Sequence, residues 1–268
     1  MNPITGNLPM LSPLVTDILA VSVLAAFVVA VAVWLIIAWR RTHYTLAQAP
    51  IFAFNYVMCR VLWRTVTSGR VRLPPGRGAV FVCNHRGPID PAFIALTVDR
   101  PVSWLVAKEY CLNPFLAGMM RTVKAIPVGR TGVDTAATKL SIRCAEEGGL
   151  VGLFPEGRIN ATDALLLPGR PGAALIAIRA EVPVIPCYVK GSPYDGTPYG
   201  CLFMSATVHL TVGRPIDISE YYGRNSDRAA LEELTKRFLK EIATLAGEEN
   251  HQAELAGRFY KPGHGSSG

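Results

Sequence analysis

Ala79-Val-Phe-Val-Cys83-Asn-His-Arg-Gly-Pro-Ile-Asp90-Pro91 is the stretch that decides the fold. Residues 79–83 carry no polar or charged side chain other than a thiol, so they read as a buried strand that ends in a histidine loop. Asp90 followed by Pro91 reads as a helix start, with the aspartate at the cap and the proline at the first helical position. Strand, loop and helix in that order form the opening unit of an α/β layer. The same geometry brings Asp90 back towards one imidazole nitrogen of His85 while the other faces a cleft. An alcohol hydroxyl is too weak an acid to ionise at neutral pH. Histidine, with an ordinary pKa of about 6.5, is the side chain best matched to taking its proton during attack on a carbonyl. The carboxylate then holds the ring tautomer and stabilises the imidazolium. By itself H-x4-D also describes a capped helix beside a structural histidine, so the context has to decide.

Outward from that stretch, strands and helices alternate. Residues 102–107, 125–128, 150–154, 184–189 and 206–212 read as strands, and 91–98, 135–147, 173–180 and 228–246 as helices. The consequence is an α/β single domain with a central mixed sheet flanked by helices, expected over residues 73–247. The last helix sets Leu231, Leu234, Phe238, Ile242 and Leu245 on one face, with Glu232–Lys236 and Glu233–Arg237 as i,i+4 pairs on the other. Residues 248–268 turn polar and end Gly-His-Gly-Ser-Ser-Gly, a flexible tail.

The chain has 268 residues, of which 50% are hydrophobic, and a mean hydropathy of +0.28, which excludes disorder and leaves room for one domain plus an anchor. Residues 18–39 hold 22 positions without a charge. At about 1.5 Å per residue they reach roughly 33 Å, the thickness of a bilayer core, so an N-terminal transmembrane helix is predicted. The flank 1–17 has no Lys or Arg, unlike a cleaved leader. Arg40 and Arg41 follow the span directly, which places the body in the cytoplasm as a single-pass membrane protein.

Residues 40–130 carry 13 Lys and Arg against 3 Asp and Glu, whereas 131–268 carry 14 against 16. A basic segment directly after a span suits an anionic leaflet or anionic substrates. Residues 40–72 therefore read as a basic, interfacial helical segment, in which 51–66 carries Arg60 and Arg64 and is alternatively the first core helix of the domain. No nucleic-acid module or basic run with interleaved aromatics is present, so nucleic acid is not an expected partner. Six scattered cysteines without C-x-x-C read as reduced thiols. Five unclustered histidines without H-E-x-x-H give a metal no support, and the absence of G-x-S-x-G argues against a serine nucleophile.

Four blocks stand in order: residues 84–90, Ala125-Ile-Pro-Val-Gly-Arg130, Phe154-Pro-Glu-Gly-Arg158 and Val182-Pro-Val-Ile-Pro186. Over roughly residues 78–215 this arrangement resembles the glycerolipid acyltransferase family that includes the bacterial 1-acylglycerol-3-phosphate acyltransferases. The resemblance implies that His85 is the base and Asp90 its orienter, and that Arg130, Glu156, Gly157 and Arg158 hold a phosphate-bearing acceptor. Guanidinium forks grip phosphate bidentately, and a glycine lets backbone approach a ligand. Glu156 would orient an arginine or a glycerol hydroxyl. Lys108 is a further candidate for the phosphate, or a lysine whose charge snorkels to solvent. The fourth block shapes the start of a strand and lines a pocket by the resemblance alone.

The implied acceptor is lysophosphatidic acid in a phospholipid bilayer, the donor acyl-CoA or acyl carrier protein, and the product phosphatidic acid, with no cofactor or metal. Another acceptor (glycerol 3-phosphate, another lysophospholipid, an amino-acid lipid) or a non-catalytic lipid-binding protein are the alternatives. Two departures stand out. The family commonly places a threonine between the glycine and arginine of the third block, whereas Arg158 follows Gly157 directly, and a serine is frequent where Gly87 stands.

Overall fold

The computed structural model describes residues 12–40, 43–71, 73–74, 76–129 and 134–257. It divides into two compact units, Met1–His43 and Tyr44–Gly268. In the first, helix α1 (Pro13–Arg40) covers the predicted span 18–39. It is apolar on every side, and Leu14, Ile18, Val21, Leu24, Phe27 and Val28 are exposed around it. Its described side chains run unbroken only over 14–30, about 26 Å of helix against a bilayer core of about 30 Å. Among the described residues no helix is long and apolar enough to cross a membrane, so the predicted transmembrane helix is not carried by them. The side chains of 31, 32, 34, 35 and 37–40 lie outside the described residues, as do residues 1–11 of the predicted flank.

The second unit opens with α2 (Ala49–Val61), which continues into β1 (Val66–Ser68). The central strand β2 (Ala79–Cys83) is the one predicted, with all five residues buried. It is followed by α3 (Asp90–Ile94), β3 (Val102–Ala107), α4 (Lys108–Leu112), α5 (Ala117–Thr122), β4 (Ile126–Val128), α6 (Thr135–Glu146), β5 (Leu150–Leu153), α7 (Gly172–Ala180), β6 (Val184–Lys190), β7 (His209–Val212) and α8 (Arg228–Leu245). Seven strands form one mixed sheet in the order β1-β7-β6-β2-β5-β3-β4. Every neighbouring pair is parallel except β6 with β7.

Because helices cover the sheet on both sides of β2, its two faces must both be apolar, and alternate residues serve different layers. Val80 and Val82 pack with Ile176 and Ala177 of α7 and with Leu234, Phe238 and Ile242 of α8. Phe81 and Cys83 pack with Cys59 and Trp63 around the end of α2, Phe93 of α3 and Trp104 of β3. Each large side chain buried this way contributes about 1.5–3 kcal/mol.

The structure revises several expectations. The stretch 51–66 packs on the domain through Cys59 and Trp63, as a first core helix would. Its outward face still exposes Phe54, Tyr56, Val57 and Val61. Its predicted end is a strand instead, because β-branched Val66 and Thr67 pair with His209 and Leu210 of β7. Arg60 donates to the Thr65 carbonyl at 2.9 Å and Arg64 to the Ser205 hydroxyl at 2.7 Å, so neither simply reaches into solvent.

On α8, Asp227 caps the amino terminus by accepting from Ala229 N and Ala230 N. Leu231 and Leu245 are only half-buried. Glu232 pairs with Arg228 and Glu233 accepts from the Tyr221 hydroxyl, so the predicted pairs with Lys236 and Arg237 give way to nearer partners. The tail is docked as far as 257: Gly169 N donates to Glu254 O and Ala256 N to Gly169 O, both at 2.9 Å. Residues 258–268 lie outside the described residues.

Phe238 is fully buried between α8 and the sheet. Phe238→Ala is expected to cost about 3–5 kcal/mol of stability, read as a lowered midpoint in chemical denaturation.

Candidate active site

Five consecutive neighbours in the sheet, β4, β3, β5, β2 and β6, run in one direction. Their carboxyl ends therefore share an edge, where ligands of open α/β sheets bind. His85 follows β2, Lys108 follows β3, Gly129 follows β4 and Phe154 to Arg158 follow β5. The sheet thus collects the first three sequence blocks on one edge, although Arg130 itself lies outside the described residues. The fourth block does not join them: Val182 and Pro183 precede β6 at the opposite edge, and Val182, Val184 and Ile185 are core side chains.

Asp90 is the first residue of α3 rather than its cap, and its carboxylate turns back into the loop. Oδ2 accepts from His85 Nδ1 at 2.9 Å, Arg86 N at 2.6 Å and Gly87 N at 2.9 Å. The Asp90 side chain is fully buried, while 16% of the His85 side chain stays exposed. A carboxylate can only accept, so Nδ1 carries the proton and Nε2 presents its lone pair. Phe154 fixes the ring plane: the His85 and Phe154 rings stack at 3.8 Å and 5°. Phe154 stacks in turn on Trp104 at 4.7 Å. Gly152 makes that column possible, since a Cβ there would lie 2.5 Å from the Trp104 ring.

The other predicted residues take different parts. Glu156 is buried, and its oxygens accept from His85 N and Leu167 N, each at 2.8 Å. It splints the histidine loop to the segment after the glycine loop and does not reach for an arginine. Burial pushes its carboxyl up to about 7, against the pull of those two N–H groups, of His85 when its ring is protonated and of the Arg86 charge. Gly157 is exposed with φ +70°, a backbone that favours glycine, and a Cβ there would meet the Arg170 side chain at 3.1 Å. Arg158 is exposed and has no partner among the described residues. Lys108 pairs with Asp134 at 2.9 Å, and that hydrogen bond, with those from Ala137 N and Gly129 N, holds the Asp134 carboxyl well below the usual carboxylate range.

Sequence reasoning passed over several supports. Asn84 clamps the loop to β6 by exchanging two 2.8 Å bonds with the Val189 backbone. Arg86 spends its guanidinium on the carbonyls of Asn160, Thr162, Ala164 and Leu165. Phe154 stood in the third block but read only as a strand end. Among the described residues no group of three or more His, Cys, Asp or Glu is placed to hold a metal ion.

A histidine whose Nε2 has no partner among the described residues, a buried acid that orients its ring and an exposed arginine beside a glycine turn thus follow neighbouring strands at one edge of the sheet. The "Acyltransferase" family model matches residues 64–190. A 1-acyl-sn-glycerol-3-phosphate acyltransferase of Bacillus subtilis (strain 168) is 27% identical over 173 residues, covering 63% of this chain and 83% of that protein. A protein of the same name from Limnanthes douglasii is 26% identical over 117 residues, covering 42% and 41%. The crystal structure of the 1-acyl-sn-glycerophosphate (LPA) acyltransferase PlsC from Thermotoga maritima superposes with a TM-score of 0.56 at 20% identity, covering 79% of this chain and 88% of that one, and so shares the fold.

Glu156 ionises less readily when folded, at about 7 against an ordinary 4.5. The folded chain therefore binds that proton more tightly, and the group's stabilising effect is full below about 4.5 and lost as pH rises through about 7. Glu156→Gln, which never ionises, should flatten this part of the Tm-against-pH curve. It should also lower Tm at acid pH, because its amide nitrogen cannot accept from the second N–H group.

Proposed function

We propose that the chain is an acyltransferase, a reading supported by the family model matched over residues 64–190, and that it moves a fatty acyl group from acyl-CoA or acyl carrier protein to the free hydroxyl of 1-acylglycerol 3-phosphate, giving phosphatidic acid. The observation that carries this reading is His85, held by buried Asp90 with Nε2 unoccupied at the carboxyl edge of the sheet. Nε2 takes the acceptor's hydroxyl proton as that oxygen bonds to the thioester carbonyl carbon. The tetrahedral intermediate collapses with rupture of the C–S bond, and the departing thiolate takes the proton back from the imidazolium. Asp90 stabilises the imidazolium between these steps and no acyl-enzyme is required. Exposed Arg158, with Lys108 beside its Asp134 partner and with Arg130 of the second sequence block, supplies cationic partners for the acceptor phosphate in this reading.

The acceptor is a lipid, and α1 suits a lipid setting. A helix that is apolar all round is either buried or in a membrane, and the apolar side chains of α1 are exposed. Together with Arg40 and Arg41 after an uncharged run, this supports a single-pass anchor with the catalytic domain on the cytoplasmic side. The exposed Phe54, Val57 and Val61 of α2 suit an interfacial position.

His85→Ala and Asp90→Asn should each lower turnover by about 10²- to 10⁴-fold in a thiol-release assay with acyl-CoA and lysophosphatidic acid, while the variants still fold. A His85→Ala protein with wild-type turnover would sink the mechanism. A panel of glycerol 3-phosphate and other lyso-acceptors in the same assay reads the acceptor.

A further inference from the structure

The two short helices after β3 expose apolar side chains where a domain in water would be expected to cover them. Leu112 at the end of α4 is 77% exposed, Phe115 in the connecting turn 94% and Met119 on α5 41%. The turn is held in shape, because Asn113 Oδ1 accepts from Phe115 N at 2.9 Å. A second segment joins them. Leu46 is 75% exposed, and two residues on, buried Gln48 donates from Nε2 to the Thr122 carbonyl at the end of α5 at 2.8 Å. Arg121 and Lys124 are exposed in the same stretch and have no partner among the described residues.

We infer that Leu46, Leu112, Phe115 and Met119 form a docking knob that seats the catalytic edge of the domain on an anionic bilayer surface. Large exposed apolar side chains with cations in the same stretch are what an anionic interface accepts. The knob belongs to the basic portion of the chain, with 13 Lys and Arg against 3 Asp and Glu over residues 40–130. Leu46 follows Arg40 by six residues in the sequence. This inference rests on the membrane anchoring proposed above. The knob also has a functional address. Helix α4 starts directly at the carboxyl end of β3, the edge that carries His85 after β2. Docking there presents the base to a lysolipid whose acyl chain stays in the bilayer.

The test uses the full chain reconstituted in vesicles of equimolar phosphatidylcholine and phosphatidylglycerol carrying brominated acyl chains. Phe115→Trp should add a blue-shifted emission that the bromines quench, and Leu112→Asp in the same chain should remove it. Leu112→Asp should also lower turnover several-fold on lysophosphatidic acid presented in vesicles and leave turnover on detergent-dispersed acceptor unchanged. A vesicle-bound Phe115→Trp chain whose added emission stays unquenched overturns the knob and spares the anchor. Failure to float with vesicles overturns both. Equal loss of turnover in detergent, or shielding of the added indole by acyl carrier protein in place of lipid, also overturns it. Intact quenching without acyl transfer under either presentation would leave the docking standing and remove the proposed reaction.

Discussion

One oxygen atom organises the site. Asp90 is fully buried, a buried carboxylate needs donors in place of the water it has lost, and since Oδ1 has no partner among the described residues that task falls on Oδ2. Three donors converge on Oδ2: the His85 ring and the backbone N–H groups of Arg86 and Gly87. The loop can satisfy that oxygen only by curling around it, and in curling it sets the imidazole. The charge therefore has two uses. It closes the loop as a structural ligand for two amides, and in the proposed reaction it stabilises the positive ring that forms when Nε2 takes a proton.

A second carboxylate extends that order to the rest of the edge. Glu156 accepts from His85 N with one oxygen and from Leu167 N with the other, so the histidine loop and the chain beyond the glycine turn are tied together. Asn84 ties the same loop to Val189 on β6, and Arg86 ties it to the carbonyls of residues 160–165. Arg170 N donates to Pro155 O, and Gly169 beside it is gripped by the chain at 254–256. Polar side chains at the site thus hold mostly backbone. In the proposed reaction the base and its target have to be held in register, and a shell of this kind holds the ring in place.

How much of this could be read from residues alone follows from the range of each interaction. The strands at 79–83 and 102–107 were legible to the residue because strands covered on both faces carry short, largely apolar runs, broken here only by Ser103. His85 and Asp90 were legible because they meet within one loop. The helices of five and six residues at α4 and α5 were not, being too short for a 3.6-residue period to register. Lys108 with Asp134 and Glu156 with His85 join positions far apart in the chain, so their pairing exists only once the sheet has formed. Glu156 is the instructive case. Its residue type and motif suggested a ligand-facing acid, whereas its burial turns it inward, a property of three-dimensional placement.

Gly87 shows how a departure from a family pattern can be explained by the space around it. Loss of a side chain at 87 reads as loss of a hydroxyl, yet a Cβ on Gly87 would lie 2.7 Å from Ser192 Oγ and 3.0 Å from the Pro193 carbonyl. The segment that leaves β6 already fills the space a side chain at 87 would need, and it brings a hydroxyl of its own, buried beside the loop. Glycine at 87 is therefore what this packing demands. It lets Gly87 N stay close enough to bond Asp90 Oδ2 while the 191–193 turn closes over it. The histidine loop and the β6 turn have been fitted to each other as a pair, and neither can be judged from its own residues.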